Sequence, residues 1–383
     1  SLREVSGPQG ARVLLDGREV LLRGSNNYLG FANHPMVREA VATAALRWGA
    51  GAGASRLISG SMTVHRRLEQ RLAAFKGTES ALLFGSGYLA NLGTVSALAR
   101  RDEVVFSDEL NHASIIDGCR LSRADVFVYR HSDLEHLAWG LERAGGRGSL
   151  IVTDGVFSMD GAVAPLEGLA ELARRHRCRL IVDEAHGTGA LGPGGRGAVA
   201  AAGLGDDVDV IVGTLGKSLG GYGAYVCATS EIRELLINVS RPFIFSTALP
   251  PATAAAAYAA LGALEARPER VDRLRANAGT LRGALEDEGF EVEREGTQIV
   301  PLVVGGAEQA TALCDAALRR GVFAQAIRPP TVPEGTSRLR LTVMATHRRR
   351  ELERAAGSIG EAARELGLRA CGEALPGALA RAA

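Results

Sequence analysis

The chain has 383 residues, a formal net charge of +1 and 46% hydrophobic residues. Its length exceeds that of most single hydrophobic cores and predicts two domains. The balanced charge excludes a general electrostatic attraction to nucleic acid or to an anionic membrane, but it leaves room for a specific pocket that binds an anionic small molecule.

Five cysteines are scattered along the chain without paired or metal-ligand spacing. This pattern predicts a reduced, cytoplasmic setting and no metal site. The chain opens Ser1-Leu-Arg-Glu4 without an initiator methionine or an apolar signal core, so we expect it to be trimmed at its N-terminus. The uncharged stretch 242–264 is long enough for a membrane span, but its Pro250-Pro251 pair favours a loop leading into a buried helix.

Short apolar runs alternate with helical patterns through the middle of the chain. Four of these runs predict buried strands, at 102–107, 149–153, 179–182 and 207–213. A helix is predicted between two of them, over 166–177. A period of roughly 30 residues is typical of βαβ units and therefore of a mainly parallel sheet with helices on both faces.

The C-terminal third has a different pattern, which predicts a smaller α+β domain. The predicted helices are 253–265, 268–288, 307–320 and 348–366, and the predicted strands are 298–304 and 338–343. We therefore predict an N-terminal segment over 1–45 that packs on the small domain, a large ligand-binding α/β domain over 46–250, and a small domain over 251–383.

Polar residues follow each predicted strand of the large domain. These segments are 107–112, 154–158, 183–186 and 214–217, and they carry His112, Ser158, Asp183, His186 and Lys217. Ligands of parallel sheets bind beyond the carboxyl ends of the strands. The sequence therefore predicts that these side chains share one site.

Lys217 stands out because only two of the 44 basic residues are lysine, Lys76 and Lys217. Arginine replaces lysine as a solvated charge, but it stays protonated and cannot act as a nucleophilic amine. A desolvated lysine can form an imine with a carbonyl. We therefore interpret Lys217, in the glycine-rich run 213–221, as the residue that holds an aldehyde cofactor; a surface-loop lysine is the alternative.

Pyridoxal 5'-phosphate (PLP) is an aldehyde cofactor whose other needs these residues could meet. Asp183 could hold the ring nitrogen protonated, and His186 could bond the phenolic oxygen. His112 could stack on the ring. As structural alternatives, Asp183 could cap the next turn, His186 could be a turn histidine bonded to the backbone, and His112 could be a core histidine.

The run 85–91 suggests a phosphate site. Its glycines let the backbone approach an anion, Ser86 offers a hydroxyl, and the helix that follows presents its positive end. Thr214 could add a second hydroxyl. Strand–helix turns of this composition are common, so this motif is weak by itself.

The chain resembles the α-oxoamine synthases, a family of PLP enzymes of fold type I. The likeness covers nearly the whole sequence through motifs at 25–30, 85–88, 111–114, 156–161, 183–189, 213–217 and 245–251. The resemblance implies a large, mainly parallel sheet domain and a smaller α+β C-terminal domain.

The resemblance also implies roles for individual residues. Lys217, Asp183, His186 and His112 would form the catalytic set around the cofactor. Ser158 would lie close to PLP, and Ser86, Gly87, Tyr88 and Thr214 would surround its phosphate. Thr247, in the segment 245–247, would reach the cofactor phosphate of a partner subunit, which implies an obligate homodimer with shared active sites.

Asn26, Arg340 and Arg3 form the implied substrate-binding set. Asn26 and Arg340 would orient the amino-acid carboxylate, which a guanidinium can grip at two points. Arg338 lies two residues earlier on the same predicted strand and faces the same side, so the family pattern decides between the two arginines. Asn27 and Asp154 depart from the commonest family residues without removing a group from this chemistry.

The segment 326–333, followed by Arg338-Leu-Arg-Leu-Thr342, is most like the members that condense L-alanine with a pimeloyl thioester in biotin biosynthesis. The acyl group would be carried by coenzyme A or by an acyl carrier protein. The alternatives are members that use glycine with acetyl-CoA or serine with a palmitoyl thioester, an aminotransferase, and a regulatory partner subunit of the same fold. The proline-rich run could also be only a rigid linker.

Overall fold

The structure is a computed structural model that describes residues 2–293 and 296–368. The chain forms two compact units. We call them the large unit, formed by His34–Phe157 and Val163–Arg267, and the small unit, formed by the described residues within Ser1–Asn33, Ser158–Ala162 and Pro268–Ala382.

The strands are β1 (Val5–Ser6), β2 (Arg12–Leu15), β3 (Arg18–Leu22), β4 (Ser80–Phe84), β5 (Val104–Asp108), β6 (Asp125–Tyr129), β7 (Gly148–Asp154), β8 (Arg179–Asp183), β9 (Val210–Thr214), β10 (Ala224–Ala228), β11 (Ile299–Gly305), β12 (Val322–Phe323), β13 (Gln325–Ile327) and β14 (Ser337–Thr342). The helices are α1 (Pro35–Trp48), α2 (Thr63–Lys76), α3 (Gly87–Leu98), α4 (Ala113–Ser122), α5 (Leu134–Arg143), α6 (Leu166–His176), α7 (Ala198–Ala201), α8 (Ser230–Val239), α9 (Arg241–Ile244), α10 (Pro251–Ala266), α11 (Glu269–Asp287), α12 (Ala307–Arg319) and α13 (Arg349–Glu365). Two short 3₁₀ turns lie at Phe31–Asn33 and Pro193–Gly195.

The large unit is built on a seven-stranded sheet in the order β4-β10-β9-β8-β7-β5-β6. Strands β5 to β9 pair in parallel, whereas β10 runs antiparallel to both β9 and β4. This arrangement confirms the predicted fold class, a mainly parallel α/β sheet with a smaller C-terminal α+β part. The four predicted strands correspond to β5, β7, β8 and β9.

Side chains on both faces of this sheet are buried. Val152, Ile181 and Val212 belong to one apolar cluster that includes residues of α3, α4 and α9. Their strand neighbours Ile151 and Val182 point to the opposite face, since side chains alternate along a strand, and they are fully buried as well. A near-continuous apolar run is what a strand covered on both faces requires.

The predicted boundaries of helix α6 agree with the structure, and its sequence shows why. Its buried residues Leu166, Leu169, Ala170 and Ala173 repeat at helical spacing. The helix ends at His176, and the next residue, Arg177, caps it in a left-handed conformation with φ 56°. The prediction of 166–177 therefore agrees with the observed bounds to within one residue.

The small unit contains two sheets. One has the order β1-β2-β3-β12, and the other has the order β11-β14-β13 with antiparallel pairing throughout. The predicted strands 298–304 and 338–343 correspond to β11 and β14. Helix α10, which we predicted to begin the small domain, groups with the large unit, so the observed division falls after Arg267 instead of after residue 250.

Within the described residues, no helix combines the length and the apolar character that crossing a bilayer requires.

Candidate active site

The carboxyl ends of the parallel strands carry acidic and hydroxyl residues at one edge of the large unit's sheet. Strand β7 ends at Asp154 and β8 ends at Asp183, and these two residues face each other in register. Strand β9 ends at Thr214 on the other side of β8. The predicted concentration of polar residues after the strands is therefore present in the large unit.

Lys217 lies in the tight connection between β9 and β10. The backbone N–H of Leu215 donates to the carbonyl of Gly223 at 2.9 Å, and that of Gly221 donates to the carbonyl of Leu215 at 2.8 Å. The Thr214 hydroxyl donates to the Gly223 carbonyl at 3.1 Å and accepts from the N–H of Gly216 at 3.1 Å. The loop that carries Lys217 is therefore held by its own hydrogen bonds.

The amine of Lys217 meets the imidazole of His186. Nζ lies 2.7 Å from Nε2 of His186, and His186 is buried. His186 follows Asp183 by three residues in the turn after β8. The structure thus brings Lys217 and His186 together, as their predicted shared site requires.

Asp183 is buried and is held as a hydrogen-bond acceptor. Its Oδ2 accepts from Nδ2 of Asn91 at 2.6 Å, and its Oδ1 accepts from the backbone N–H of Ala185 at 2.7 Å. Asn91 lies on α3, so this bond joins the helix that follows the glycine-rich turn to the end of β8. A carboxylate oriented in this way suits the binding of a protonated ring nitrogen.

A chain of hydrogen bonds links Asp183 to His112. Nδ2 of Asn91 also donates to the Ser114 hydroxyl at 2.9 Å, and that hydroxyl lies 2.8 Å from Nδ1 of His112. The backbone N–H of Ser114 donates to the same Nδ1 at 3.3 Å. Nδ1 is therefore an acceptor and the ring proton resides on Nε2, which fixes the imidazole as the neutral tautomer.

Electrostatics support a neutral His112. Desolvation by neighbouring protein lowers the pKa of His112 below its ordinary value; Asp183 opposes this shift and Lys217 adds to it. The residue is nevertheless exposed, so it remains accessible to a ligand.

Asp154 and Asn111 hold the turn that carries His112. Asp154 is buried, and its Oδ2 accepts from the backbone N–H of His112 at 2.7 Å. Asn111 in turn accepts from the N–H of Asp154 at 2.9 Å and donates to the carbonyl of Val152 at 2.8 Å. Burial raises the pKa of Asp154 well above its ordinary value, and the nearby Asp183 reinforces the shift.

The predicted phosphate residues lie at the start of α3. Ser86 is the N-cap of this helix, and its hydroxyl accepts from the N–H of Leu89 at 3.2 Å. A Cβ at Gly87 would lie 3.9 Å from Cβ of Thr214, so the glycine-rich turn adjoins the end of β9. Tyr88 is exposed and its hydroxyl bonds to the carboxylate of Asp117.

Thr247 lies on the surface of the large unit. It forms an isolated antiparallel bridge with Ser55. Thr247 is exposed, and Phe245 beside it is 70% exposed.

The small unit contains a second cluster, formed by Asn26, Arg340 and Ser158. Nη2 of Arg340 donates to Oδ1 of Asn26 at 3.2 Å, and Nε of Arg340 donates to the carbonyl of Ser158 at 2.5 Å. Arg338 instead donates to the carbonyl of Thr336 at 3.0 Å. The structure therefore places Arg340, and not Arg338, beside Asn26.

Arg3 occupies a different part of the small unit's surface. Its guanidinium lies 3.1 Å from the carboxylate of Asp16 and 4.0 Å from that of Asp315. The structure shows no bond between Arg3 and Asn26 or Arg340, all of which are described residues. Its predicted role in substrate binding stays a prediction.

Three residues that sequence reasoning left without a role hold these clusters in place: Asn91, Ser114 and Tyr28. Each of them lies in a motif that carried the family resemblance or in the run 85–91. The sequence signal was therefore present, but the role of each residue depends on its hydrogen-bond partners in the folded chain, which the motifs do not specify.

Comparison with known proteins places this chain in a family. The family model described as aminotransferase class I and II matches residues 18–359. The chain is 53% identical to the 8-amino-7-oxononanoate synthase of Geobacter sulfurreducens, over 96% of this chain and 95% of that protein. It also resembles a structure of SPT (serine palmitoyltransferase) with a PLP internal aldimine, with a TM-score of 0.91, 35% identity, and coverage of 95% of this chain and 93% of that one. A structure of 8-amino-7-oxononanoate synthase from Francisella tularensis matches with a TM-score of 0.78 and 29% identity, over 91% of this chain and 99% of that one.

The chain belongs to the aminotransferase class I and II family of fold type I, PLP-dependent enzymes. Within that family it is an α-oxoamine synthase, an acyltransferase. The predicted family, cofactor and enzyme class are thereby confirmed.

The residues of the large unit fit PLP chemically. The amine of Lys217 can hold an aldehyde, and the anchored carboxylate of Asp183 can hold a ring nitrogen. The neutral imidazole of His112 can stack on a ring, and the N-terminus of α3 beside Thr214 can accept a phosphate. Asp183 and Thr214 end strands, Lys217 and His112 lie in the connections that follow β9 and β5, and Asn91 joins α3 to Asp183.

Proposed function

We propose that the chain condenses L-alanine with a pimeloyl thioester to give 8-amino-7-oxononanoate in biotin biosynthesis. The reaction joins the α-carbon of alanine to the acyl carbon and releases the thiol and carbon dioxide. The 53% identity to the Geobacter sulfurreducens 8-amino-7-oxononanoate synthase, over nearly the full length of both proteins, is the observation that carries this proposal.

Lys217 and its neighbours would handle the α-proton. When bound, PLP supplies an aldehyde for an amine and a ring that accepts the electron pair left by a departing proton. Lys217 would hold the cofactor through Nζ and, when its amine is free, would remove the α-proton as a general base. His186, 2.7 Å from Nζ, would orient that amine, and Asp183 would hold the ring nitrogen.

Asn26 and Arg340 would bind the carboxylate of the amino acid. Arg340 is buried, and its Nε and Nη2 are held by Ser158 and Asn26. A guanidinium fixed by two neighbours loses little side-chain entropy when it binds an anion. Arg3 remains a proposed substrate-binding residue.

The geometry of the large unit suits other α-oxoamine synthases as well. The solved serine palmitoyltransferase is 35% identical to this chain, and the solved 8-amino-7-oxononanoate synthase is 29% identical, so these two likenesses do not select the amino acid. The curated relative at 53% identity favours alanine.

A panel of initial rates tests the proposed substrates. Alanine, glycine and serine would each be combined with acetyl, pimeloyl and palmitoyl thioesters, on coenzyme A and on an acyl carrier protein. We expect the highest kcat/KM for alanine with a pimeloyl thioester. A clear preference for another pair would overturn the proposed substrates.

Product analysis separates condensation from transamination. Condensation releases carbon dioxide and free thiol in equal amounts, whereas an aminotransferase would release a keto acid from alanine. We expect thiol and carbon dioxide at a one-to-one ratio. Keto acid as the main product would contradict the proposal.

We also propose that two copies form a homodimer with shared active sites. The exposed side chains of Phe245 and Thr247 support this, since both are accessible to a partner and aromatic residues are enriched at protein–protein interfaces. Thr247 of one copy would then reach the cofactor phosphate of the other. Mixing a Lys217→Ala variant with a Thr247→Ala variant should restore part of the lost activity, and a monomer in sedimentation would argue against the assembly.

A cytoplasmic location is proposed on the basis of the thiols. Cys119, Cys178, Cys227 and Cys314 are all free, and Cys371 lies outside the described residues. Burial raises the pKa of Cys119 and Cys178 to about 11 and that of Cys227 to about 12. The raised pKa keeps these thiols protonated, and unpaired cysteines are typical of proteins in a reducing compartment, where disulfides are rare.

A further inference from the structure

Tyr28 is a fully buried residue of the small unit that contacts the proposed carboxylate-binding cluster. Its hydroxyl lies 3.0 Å from Oδ1 of Asn26. The same oxygen accepts from Nη2 of Arg340 at 3.2 Å. Asn26 is therefore contacted by two polar side chains at one end of its amide.

These contacts fix the orientation of the Asn26 amide. A guanidinium can only donate, so the atom of Asn26 that faces Arg340 must be the oxygen. An amide oxygen can only accept, so the Tyr28 hydroxyl must donate its proton to it. Nδ2 of Asn26 is then left on the other end of the amide, and no described residue accepts a hydrogen bond from it.

The backbone around Tyr28 is held against the chain that follows β14. The Tyr28 carbonyl accepts from the N–H of Ala345 at 2.7 Å. Gly30 has φ +74°, and a Cβ there would lie 2.4 Å from Cγ2 of Thr346. Only glycine fits this close approach, so the loop that carries Asn26 and Tyr28 has little freedom to move.

The phenol keeps its proton in this setting. Burial raises the pKa of Tyr28 above its ordinary value, although the charge of Arg340 and hydrogen bonds with Gln298 and Arg340 oppose the shift. A protonated hydroxyl is what donation to Asn26 requires.

We propose that Tyr28 is a positioning residue for the amino-acid substrate: its hydroxyl, together with Arg340, holds the Asn26 amide so that Nδ2 is presented to the substrate carboxylate. This inference rests on the proposed function, in which Asn26 and Arg340 bind that carboxylate. Tyr28 itself does not touch the substrate. Its effect on binding passes through Asn26.

Removing the hydroxyl tests this role. In the PLP-loaded Tyr28→Phe variant, the Kd of L-alanine, measured by absorbance titration, should rise by about threefold to tenfold, as expected for one lost hydrogen bond. The Kd of ethylamine, which lacks a carboxylate, should stay the same. The control Tyr129→Phe, which removes another buried phenol hydroxyl, should change neither value.

A double-mutant cycle tests whether Tyr28 acts through Asn26. In an Asn26→Ala background, Tyr28→Phe should cause no further loss of alanine affinity. An equal, additive loss in both backgrounds, or equal weakening of alanine and ethylamine, would overturn the positioning role. So would an unchanged Kd in Tyr28→Phe when Asn26→Ala weakens alanine binding.

The same measurements separate this inference from the proposed function. If Asn26→Ala and Arg340→Ala both leave the ratio of the alanine and ethylamine Kd values unchanged, the carboxylate assignment itself is wrong. If those two variants change the ratio and Tyr28→Phe does not, only the role of Tyr28 is wrong.

Discussion

Nζ of Lys217 lies 2.7 Å from Nε2 of His186. At this distance one hydrogen lies between the two nitrogens, and two positive charges there would repel each other strongly. One nitrogen therefore donates this hydrogen and the other accepts it, which orients Nζ of Lys217, the atom that would react with an aldehyde.

Replacing Lys217 with Arg keeps a positive charge but removes the reactive amine. We expect borohydride to attach no cofactor to this variant, and we expect kcat to fall by at least about 10²- to 10⁴-fold, the usual contribution of a general base. Mass spectrometry of the reduced protein and initial rates measure the two effects.

Lys76→Met is the matched control because Lys76 is the other lysine of the chain. Lys76 is buried, and its Nζ donates to the carbonyl of Arg196 at 2.5 Å. The variant should lose stability but retain cofactor attachment at Lys217. Attachment at Lys76 in the Lys217→Arg protein would contradict the assignment.

Asn91→Leu should weaken both folding and cofactor binding. The substitution removes the donor to Oδ2 of Asp183 and leaves a buried carboxylate oxygen without it. We expect a loss of about 1–3 kcal/mol in the free energy of unfolding and a higher Kd for PLP. Urea unfolding and absorbance titration measure these quantities.

Thr94→Val on the same helix is the control for Asn91→Leu. Oγ1 of Thr94 is buried without a hydrogen-bond partner among the described residues. Replacing that hydroxyl with a methyl group should therefore leave stability and PLP affinity nearly unchanged. Equal losses in the two variants would show that Asn91 acts only through helix packing.

His347 should make the folded protein less stable in mild acid. Burial, followed by the charge of Arg23, lowers the pKa of His347 well below its ordinary value. The unfolded imidazole takes up a proton near pH 6.5, whereas the folded one stays neutral until lower pH. Stability present above about pH 6.5 is therefore lost as the pH falls, by up to about 1.4 kcal/mol per pH unit.

The His347→Gln variant isolates this contribution. Free energies of unfolding measured between about pH 7.5 and about pH 5.5 should fall less steeply in the variant than in the parent protein. Identical slopes would assign the acid sensitivity to other groups.

Gly213→Ala should disturb the strand that leads to Lys217. A Cβ at Gly213 would lie 2.2 Å from Cζ of Tyr225, which is fully buried. Overpacking of this kind costs about 1–3 kcal/mol, and we expect kcat to fall because Thr214 and the Lys217 loop follow directly. Gly205→Ala, where no atom lies within 4 Å of the new Cβ, should change stability by no more than about 0.5 kcal/mol.

Much of the sheet could be predicted from the sequence because buried strands are continuous apolar runs. Strands β5, β7, β8 and β9 are of this kind. The pairing of β4 with β10 joins residues far apart in the chain. The reversed direction of β10 does not change the hydrophobic periodicity of its sequence. These features depend on tertiary structure and were not predicted.

The candidate site was predictable only where one residue type carries the chemistry. Lysine is rare in this arginine-rich chain, which drew attention to Lys217, one of only two lysines; its contact with His186 agrees with the shared site. Asn91 and Tyr28 act by orienting other side chains. Asn91 donates to Asp183, 92 residues away, and Tyr28 donates to Asn26, whose other contact, Arg340, lies 314 residues away. Arg3 could not be placed from sequence because its ion pair with Asp16 is a surface contact that no motif encodes.

The antiparallel course of β10 has a dynamic consequence for Lys217. Both arms of its connection belong to hydrogen-bonded ladders inside the sheet, and the loop is closed by further bonds between its own backbone groups. Opening this segment would break the β9–β10 ladder and would disturb the ladders that join β9 to β8 and β10 to β4. The amide protons of β9 and β10, the strands before and after Lys217, should therefore exchange with deuterium only about as fast as the whole sheet opens.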